Sequence, residues 1–122
     1  MLAIENNLSA IVSVALDATT MRHQAIAQNI ANVNTPGYQA IGVSFAERLG
    51  QARADSAAGM RLNGATLAQL RPVIEPLETH AGAVSLETEI ARLSENTLQH
   101  QTLLKMLSRH YAILGAAISS GK

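Results

Sequence analysis

Asn29-Ile30-Ala31-Asn32-Val33-Asn34-Thr35-Pro36-Gly37-Tyr38 decides the fold, because a long helix has to stop there. Pro36 has no amide to donate and disfavours helical backbone at Thr35. Asn32 and Asn34 tolerate left-handed backbone and can bond the carbonyls left free at a helix end. Thr35-Pro36-Gly37-Tyr38 fits a type II turn, with Pro second and Gly third, the position that needs positive φ. Tyr38, one of three aromatic residues in the chain, is expected to pack back against the helix end.

Upstream of that stop, Leu8, Val12, Ala15, Thr19, Ile26, Ile30 and Val33 recur mostly at three- and four-residue steps, which predicts a helix over residues 3–32. Arg22 and His23 interrupt the stripe. The favoured reading of Arg22 packs its aliphatic stem and leaves its charge in solvent. The alternative is a polar seam residue that fixes register between helices.

Downstream, a second helix is predicted over residues 85–118. Ser85 is a good capping residue, Glu87 and Glu89 occupy the first turn, and Lys105 and Arg109 fall nearer the end, as the helix dipole favours. Leu86, Ile90, Leu93, Thr97, Leu104, Leu107, Tyr111, Leu114 and Ile118 form its stripe. Leu98, Leu103, Met106 and Ile113 lie largely off it, and a helix apolar on more than one face has more than one neighbour. Each helix is about 45 Å long. The predicted seam sets Leu8, Val12, Ile26 and Ile30 against Ile90, Leu93, Leu104, Leu107 and Leu114.

Between the helices, residues 33–84 read as a turn followed by an arm. Ser44 can cap a short helix over Phe45–Arg53. Asn63-Gly64 is a possible tight hairpin turn between Met60-Arg61-Leu62 and Ala65-Thr66-Leu67. Pro72 and Pro76 bracket an extended Val73-Ile74-Glu75. Gly59, Gly64, Pro72, Pro76 and Gly82 break the pattern so often that the arm is expected to be flexible or ordered by partners. The fold class is all-α: one domain over residues 1–122, its two long terminal helices packed as an antiparallel hairpin or coiled coil, with an irregular middle arm.

Composition narrows function. Nine basic and nine acidic residues balance to zero, which supports neither a nucleic-acid footprint nor a polybasic membrane anchor. The apolar share is 48% while aromatics are 2%, so much of the apolar content is alanine, which favours helices in close approach over a large aromatic core. Without cysteine there is no disulfide or thiolate metal site. No apolar run approaches the ~20 residues of a transmembrane helix, and Met1–Asn7 lacks the pattern of a secretory signal. The histidines at 23, 80, 100 and 110 form no His-Glu-x-x-His run, no serine sits in a Gly-x-Ser-x-Gly setting, and no glycine-rich phosphate loop is present. Catalytic, cofactor-binding and metal residues are therefore expected to be none, and no small-molecule substrate is expected.

Arg22-His23-Gln24-Ala25-Ile26-Ala27-Gln28-Asn29-Ile30-Ala31-Asn32-Val33-Asn34-Thr35-Pro36-Gly37-Tyr38 closely resembles the N-terminal signature of the bacterial flagellar axial proteins, the rod, hook and hook-associated subunits. Within that family the chain looks most like the proximal-rod members. The span between its helices is too short for the extra domains of distal-rod and hook proteins. Val43-Ser44-Phe45-Ala46-Glu47-Arg48-Leu49 resembles the short helix those members carry after the turn. The C-terminal helix lacks the Ala-x-Arg-x-Tyr-x-x-Asn pattern of the C-type rod protein.

The resemblance implies a structural subunit of the periplasmic rod in the flagellar basal body. It implies export through the flagellar type III apparatus and helical assembly with itself, with other rod subunits, and with membrane-ring and export-gate proteins. Such a subunit joins ring and gate to the drive shaft. The alternatives are a C-type or other axial subunit, or a soluble helical adaptor. An adaptor would be a folded monomer, whereas a rod subunit would be weakly ordered or self-associating by itself. Asn29, Asn32, Asn34 and Thr35 are expected to cap the first helix and also touch a neighbouring subunit, because three asparagines in six residues exceed the need of one cap. Pro36 and Gly37 then turn the chain out of the wall, with Tyr38 closing the turn.

Overall fold

A computed structural model describes residues 2–57, 64–77 and 84–121. Helix α1 spans Leu2–Ala31 and is followed by strand β1 (Ile41–Ser44), helix α2 (Ala46–Ala57), helix α3 (Gly64–Gln69), strand β2 (Val73–Pro76) and helix α4 (Leu86–Ser120). The two long helices pack against each other and begin and end within two residues of their predicted limits. They run antiparallel: Ser9 faces Tyr111, Thr19 faces His100, Arg22 faces Asn96 and Asn29 faces Glu89, so numbers rise along α1 as they fall along α4. Among the described residues no helix is long and apolar enough to cross a membrane.

The face that α4 turns inward is Glu89, Leu93, Asn96, His100, Leu103, Leu107, His110 and Leu114, at alternating steps of four and three. Such spacing keeps one seam against a partner helix along its whole length. Val12, Ala15, Thr19, Ile26 and Asn29 are buried on α1, with Arg22 half-buried between them.

This seam differs from the expected one. Val12 and Ile26 are buried, and Ile30, Leu93, Leu107 and Leu114 are half-buried, but Leu8, Ile90 and Leu104 are exposed within the single chain. The expected α4 stripe coincides with the inward face at Leu93, Leu107 and Leu114 and misses it by one position at Ile90, Thr97, Leu104 and Tyr111. Glu89 and Asn96 take the inward places because Asn29, Arg22 and the backbone of Thr19 satisfy their polar atoms there.

The arm is more structured than its breakers predict. Strands β1 and β2 pair antiparallel, with Ile41 opposite Pro76, Gly42 opposite Glu75, Val43 opposite Ile74 and Ser44 opposite Val73. Phe45, Ala52 and Leu70 bury against Ala15 and Ala18 of α1, flanked by Val14, Val43, Leu49, Leu67 and Leu103. The alanines of α1 leave the room that Phe45 and Leu70 fill, which ties the arm to the helix pair.

The short helix after the turn is present as α2 and the Val73–Glu75 segment as β2. The hairpin proposed at Asn63-Gly64 does not form on its C-terminal side, since Gly64–Gln69 is helical; its other half, Met60–Asn63, lies outside the described residues, as do Gly59, His80 and Gly82. Neither serine caps as expected. The Ser44 hydroxyl donates to the Val73 carbonyl, and the Ser85 hydroxyl donates to the Glu87 carboxylate rather than accepting a backbone amide.

Candidate assembly site

Helix α1 unwinds through tight turns. Asn32 N–H bonds the carbonyls of Gln28 and Asn29, Thr35 N–H bonds Asn32, and Tyr38 N–H bonds Thr35. The last of these closes Thr35–Tyr38 as a β-turn, and Gly37 at φ 75° makes it type II, as the Pro-Gly order demands. The Asn32 side chain caps the helix by donating to the Gln28 carbonyl at 2.9 Å, and the Thr35 hydroxyl donates to Asn32 Oδ1 at 3.1 Å. Asn34, Thr35, Pro36 and Gly37 are exposed on the rim of this turn.

Asn29 has a different place. It is 1% exposed, and its carboxamide makes four bonds, all within the chain. Nδ2 donates to the Ile41 carbonyl at 2.9 Å and to Glu89 Oε2 at 3.1 Å. Oδ1 accepts from the Tyr38 hydroxyl at 2.8 Å and from the Ile41 amide at 3.0 Å. A carboxamide bonded in this way has no donor hydrogen left for a neighbour. The expectation that Asn29 touches another subunit is therefore replaced by an internal role: it joins α1, the turn, β1 and α4 at one point. Tyr38 does pack back on the helix end, through that bond.

Glu89, 2% exposed, also pairs with Arg92 at 2.7 Å. Burial, and then the charge of Glu89, hold the Tyr38 phenol above its ordinary value. At the start of α4, the amide of Glu87 and the Ser85 hydroxyl hold the exposed Glu87 carboxyl below its ordinary value.

Further along the seam, Arg22 donates to Asn96 Oδ1 at 3.2 Å and Gln99 Oε1 at 3.1 Å, while Asn96 Nδ2 donates to the Thr19 carbonyl at 2.8 Å. Thr19 sends its hydroxyl hydrogen to the Leu16 carbonyl, so His100 Nδ1 must carry the hydrogen that joins it to Thr19 Oγ1 at 2.7 Å. Arg22 thus serves register, the less favoured of its two sequence readings. Glu89, Asn96 and His100 were missed as seam residues. The available signal was spacing: Arg22 and Asn29 are seven apart on one helix, and Asn96 and Glu89 are seven apart on the other.

Beside the seam, α4 carries a second line of residues that the described part of the chain leaves largely uncovered, its hydrogen bond toward α1 being that of Tyr111 with Ser9. Ile90, Thr97, Leu104, Tyr111 and Ile118 follow at seven-residue intervals and all are exposed. Next to the arm, an apolar cleft of about 470 Å³ opens between Ala15, Ala18, Phe45, Leu49, Leu98 and Leu103.

Two long helices held by a polar seam, with a further apolar line left outside, define a structural subunit made to pack against others. Comparison with known proteins agrees. A family model described as flagella basal body rod protein matches residues 13–39, the second half of α1 and the turn. Flagellar basal body rod protein FlgB of Cereibacter sphaeroides is 31% identical over 85% of this chain and 88% of its own length. Its counterpart in Aeromonas hydrophila is 25% identical over 77% of this chain and 79% of its own length. The chain belongs to the FlgB family of flagellar basal body rod proteins. It is a structural subunit of the proximal rod in the flagellar basal body, and not an enzyme.

Proposed function

We propose that the subunit acts as a single rod-subunit domain over residues 1–122, assembles helically with copies of itself and with other rod subunits, and so joins the membrane ring and export gate to the drive shaft. The observation that carries this reading is the line Ile90, Thr97, Leu104, Tyr111 and Ile118. It has the same seven-residue repeat as the internal seam, lies directly beside it, and is exposed along its length. A helix from a neighbouring subunit laid along that line would bury it. The half-buried Leu93, Leu107 and Leu114 would close between the two seams, and Leu8 would be covered at the far end.

In this reading the exposed Asn34, Thr35, Pro36 and Gly37 form the part of the turn that meets a neighbour, while Asn29, Asn32 and Tyr38 shape it from within. Export through the flagellar type III apparatus rests on the family resemblance. Because the chain has no cysteine, single cysteines can be placed at will. Leu104→Cys and Tyr111→Cys, tested with a short thiol crosslinker in assembled rods, should join neighbouring subunits. Crosslinks from Thr102→Cys on another face of α4, with none from 104 or 111, would refute the assignment of this line.

A further inference from the structure

The two-stranded ribbon is the one place among the described residues where backbone could pair with an incoming strand, because a ribbon has two outer edges. The hydrogen bonding fixes which residues face those edges. Leu77 N–H bonds the Ala40 carbonyl, one step beyond the opposed pair Ile41 and Pro76. Alternation along an antiparallel pair then turns the backbone groups of Val73, Glu75 and Leu77 toward β1, and those of Ile74 and Pro76 outward. The Ser44 hydroxyl reaching the Val73 carbonyl agrees with that phase. On the other strand, Ile41 and Val43 face outward.

Each outer edge is altered at all but one of its outward positions, Val43 on β1 and Ile74 on β2. On β1, both backbone groups of Ile41 are taken by the Asn29 carboxamide, which gives one N–H and takes one, as a neighbouring strand residue would. On β2, the outward position Pro76 has no N–H. Pro72 stands at the preceding outward step, one residue before the strand, and has none either. Ile74 keeps the one outward amide of the strand, between two prolines. Its side chain and that of Val73 are exposed, so β2 is otherwise an apolar, unpaired edge of the kind that recruits extended chain.

We infer that both edges of the ribbon are closed to strand addition, by Asn29 on one side and by Pro72 and Pro76 on the other, because each edge is left with a single outward residue, Val43 or Ile74, too little for an extended segment of a second copy to pair with it. Subunits then meet through side-chain faces, which keeps a β-pairing route from competing with helical assembly.

Two measurements test this. In the wild-type subunit, the Ile74 amide should exchange with solvent on the order of tenfold faster than that of Glu75, which points into the ribbon. The double variant Pro72→Thr/Pro76→Thr restores two outward donors with a strand-favouring residue. It should keep its helical circular dichroism and gain an intermolecular β-sheet infrared band and thioflavin fluorescence at concentrations where wild type shows neither. A helical double variant without that band would overturn the inference, as would an Ile74 amide protected as well as Glu75 in a proven monomer. If the double variant loses its helical spectrum, Pro76→Thr alone is read by the same two signals and the exchange comparison stands unaffected.

Discussion

Replacing Asn29 by alanine removes four hydrogen bonds at once from a buried side chain. Two go to the backbone of Ile41, one comes from the Tyr38 hydroxyl and one goes to the Glu89 carboxylate. A neutral bond contributes about 1 kcal/mol net and one to a charged group about 2. Tyr38 and Ile41 are half-buried and recover part of their loss by turning to water, whereas Glu89 at 2% exposure keeps only Arg92. The expected cost is about 3–4 kcal/mol, against about 1 for the loss of a simple helix cap. Urea unfolding followed by helical circular dichroism, on wild type and variant under the same conditions, measures the difference. Asn29→Asp should cost at least as much, because it keeps the shape, loses both donors and sets a second carboxylate against Glu89. A loss of 1 kcal/mol or less in Asn29→Ala would show that Asn29 is only a cap, and the account of it as the joint of four elements would fall.

Leu104→Ala separates the two seams: with Leu104 exposed in the single chain, the change should cost under about 1 kcal/mol in the dissociated subunit and about 2–3 in the assembled rod, and equal costs in both states would place Leu104 inside the subunit. Gly37→Val should cost about 1–2 kcal/mol from backbone strain alone, since φ is 75° and no atom stands within 4 Å of the added Cβ; Gly37→Asn should recover most of it in the same melt, and an equal penalty for both would point to crowding instead. Tyr38 in a Tyr111→Phe background should form phenolate only above its ordinary value of 10.0, by ultraviolet absorbance. The folded state then holds this proton more tightly than the unfolded one, so its stabilising share is complete below pH 10 and is lost as pH rises through the folded value; a midpoint at or below 10 contradicts the part-buried place of the hydroxyl beside Glu89.

The C-terminal limit of α1 was legible because Asn32 caps it, Pro36 prevents the helix from resuming, and Gly37 has the φ that its turn position needs. The seam was harder to read. A search for leucine and isoleucine finds Ile90 and Leu104, which are exposed in the single chain, and passes over Glu89 and Asn96, which are buried against α1. Hydrophobicity alone cannot tell an internal seam from an external one when both repeat every seven residues and the internal one is partly polar. The arm was underread for another reason. Its order comes from Phe45 and Leu70 settling on Ala15 and Ala18, a contact between residues far apart in sequence that no local pattern announces. The three asparagines pointed to a contact with a neighbouring subunit for Asn29, but its bonds run to Ile41 and Glu89, 12 and 60 residues away, beyond what a motif can show.

The seam of paired polar groups has a mechanical consequence. Between two smooth aliphatic faces, a helix can creep along its neighbour by exchanging one leucine contact for the next at little cost. Here a slide of even one turn, about 5 Å, would part Arg22 from Asn96, Thr19 from His100 and Asn29 from Glu89 together, leaving buried donors and acceptors unpaired. Displacement in either direction is resisted alike, because each pair has its optimum at one register. A rod built from such subunits would be stiffened by these teeth within each subunit, and any compliance would then have to reside between subunits.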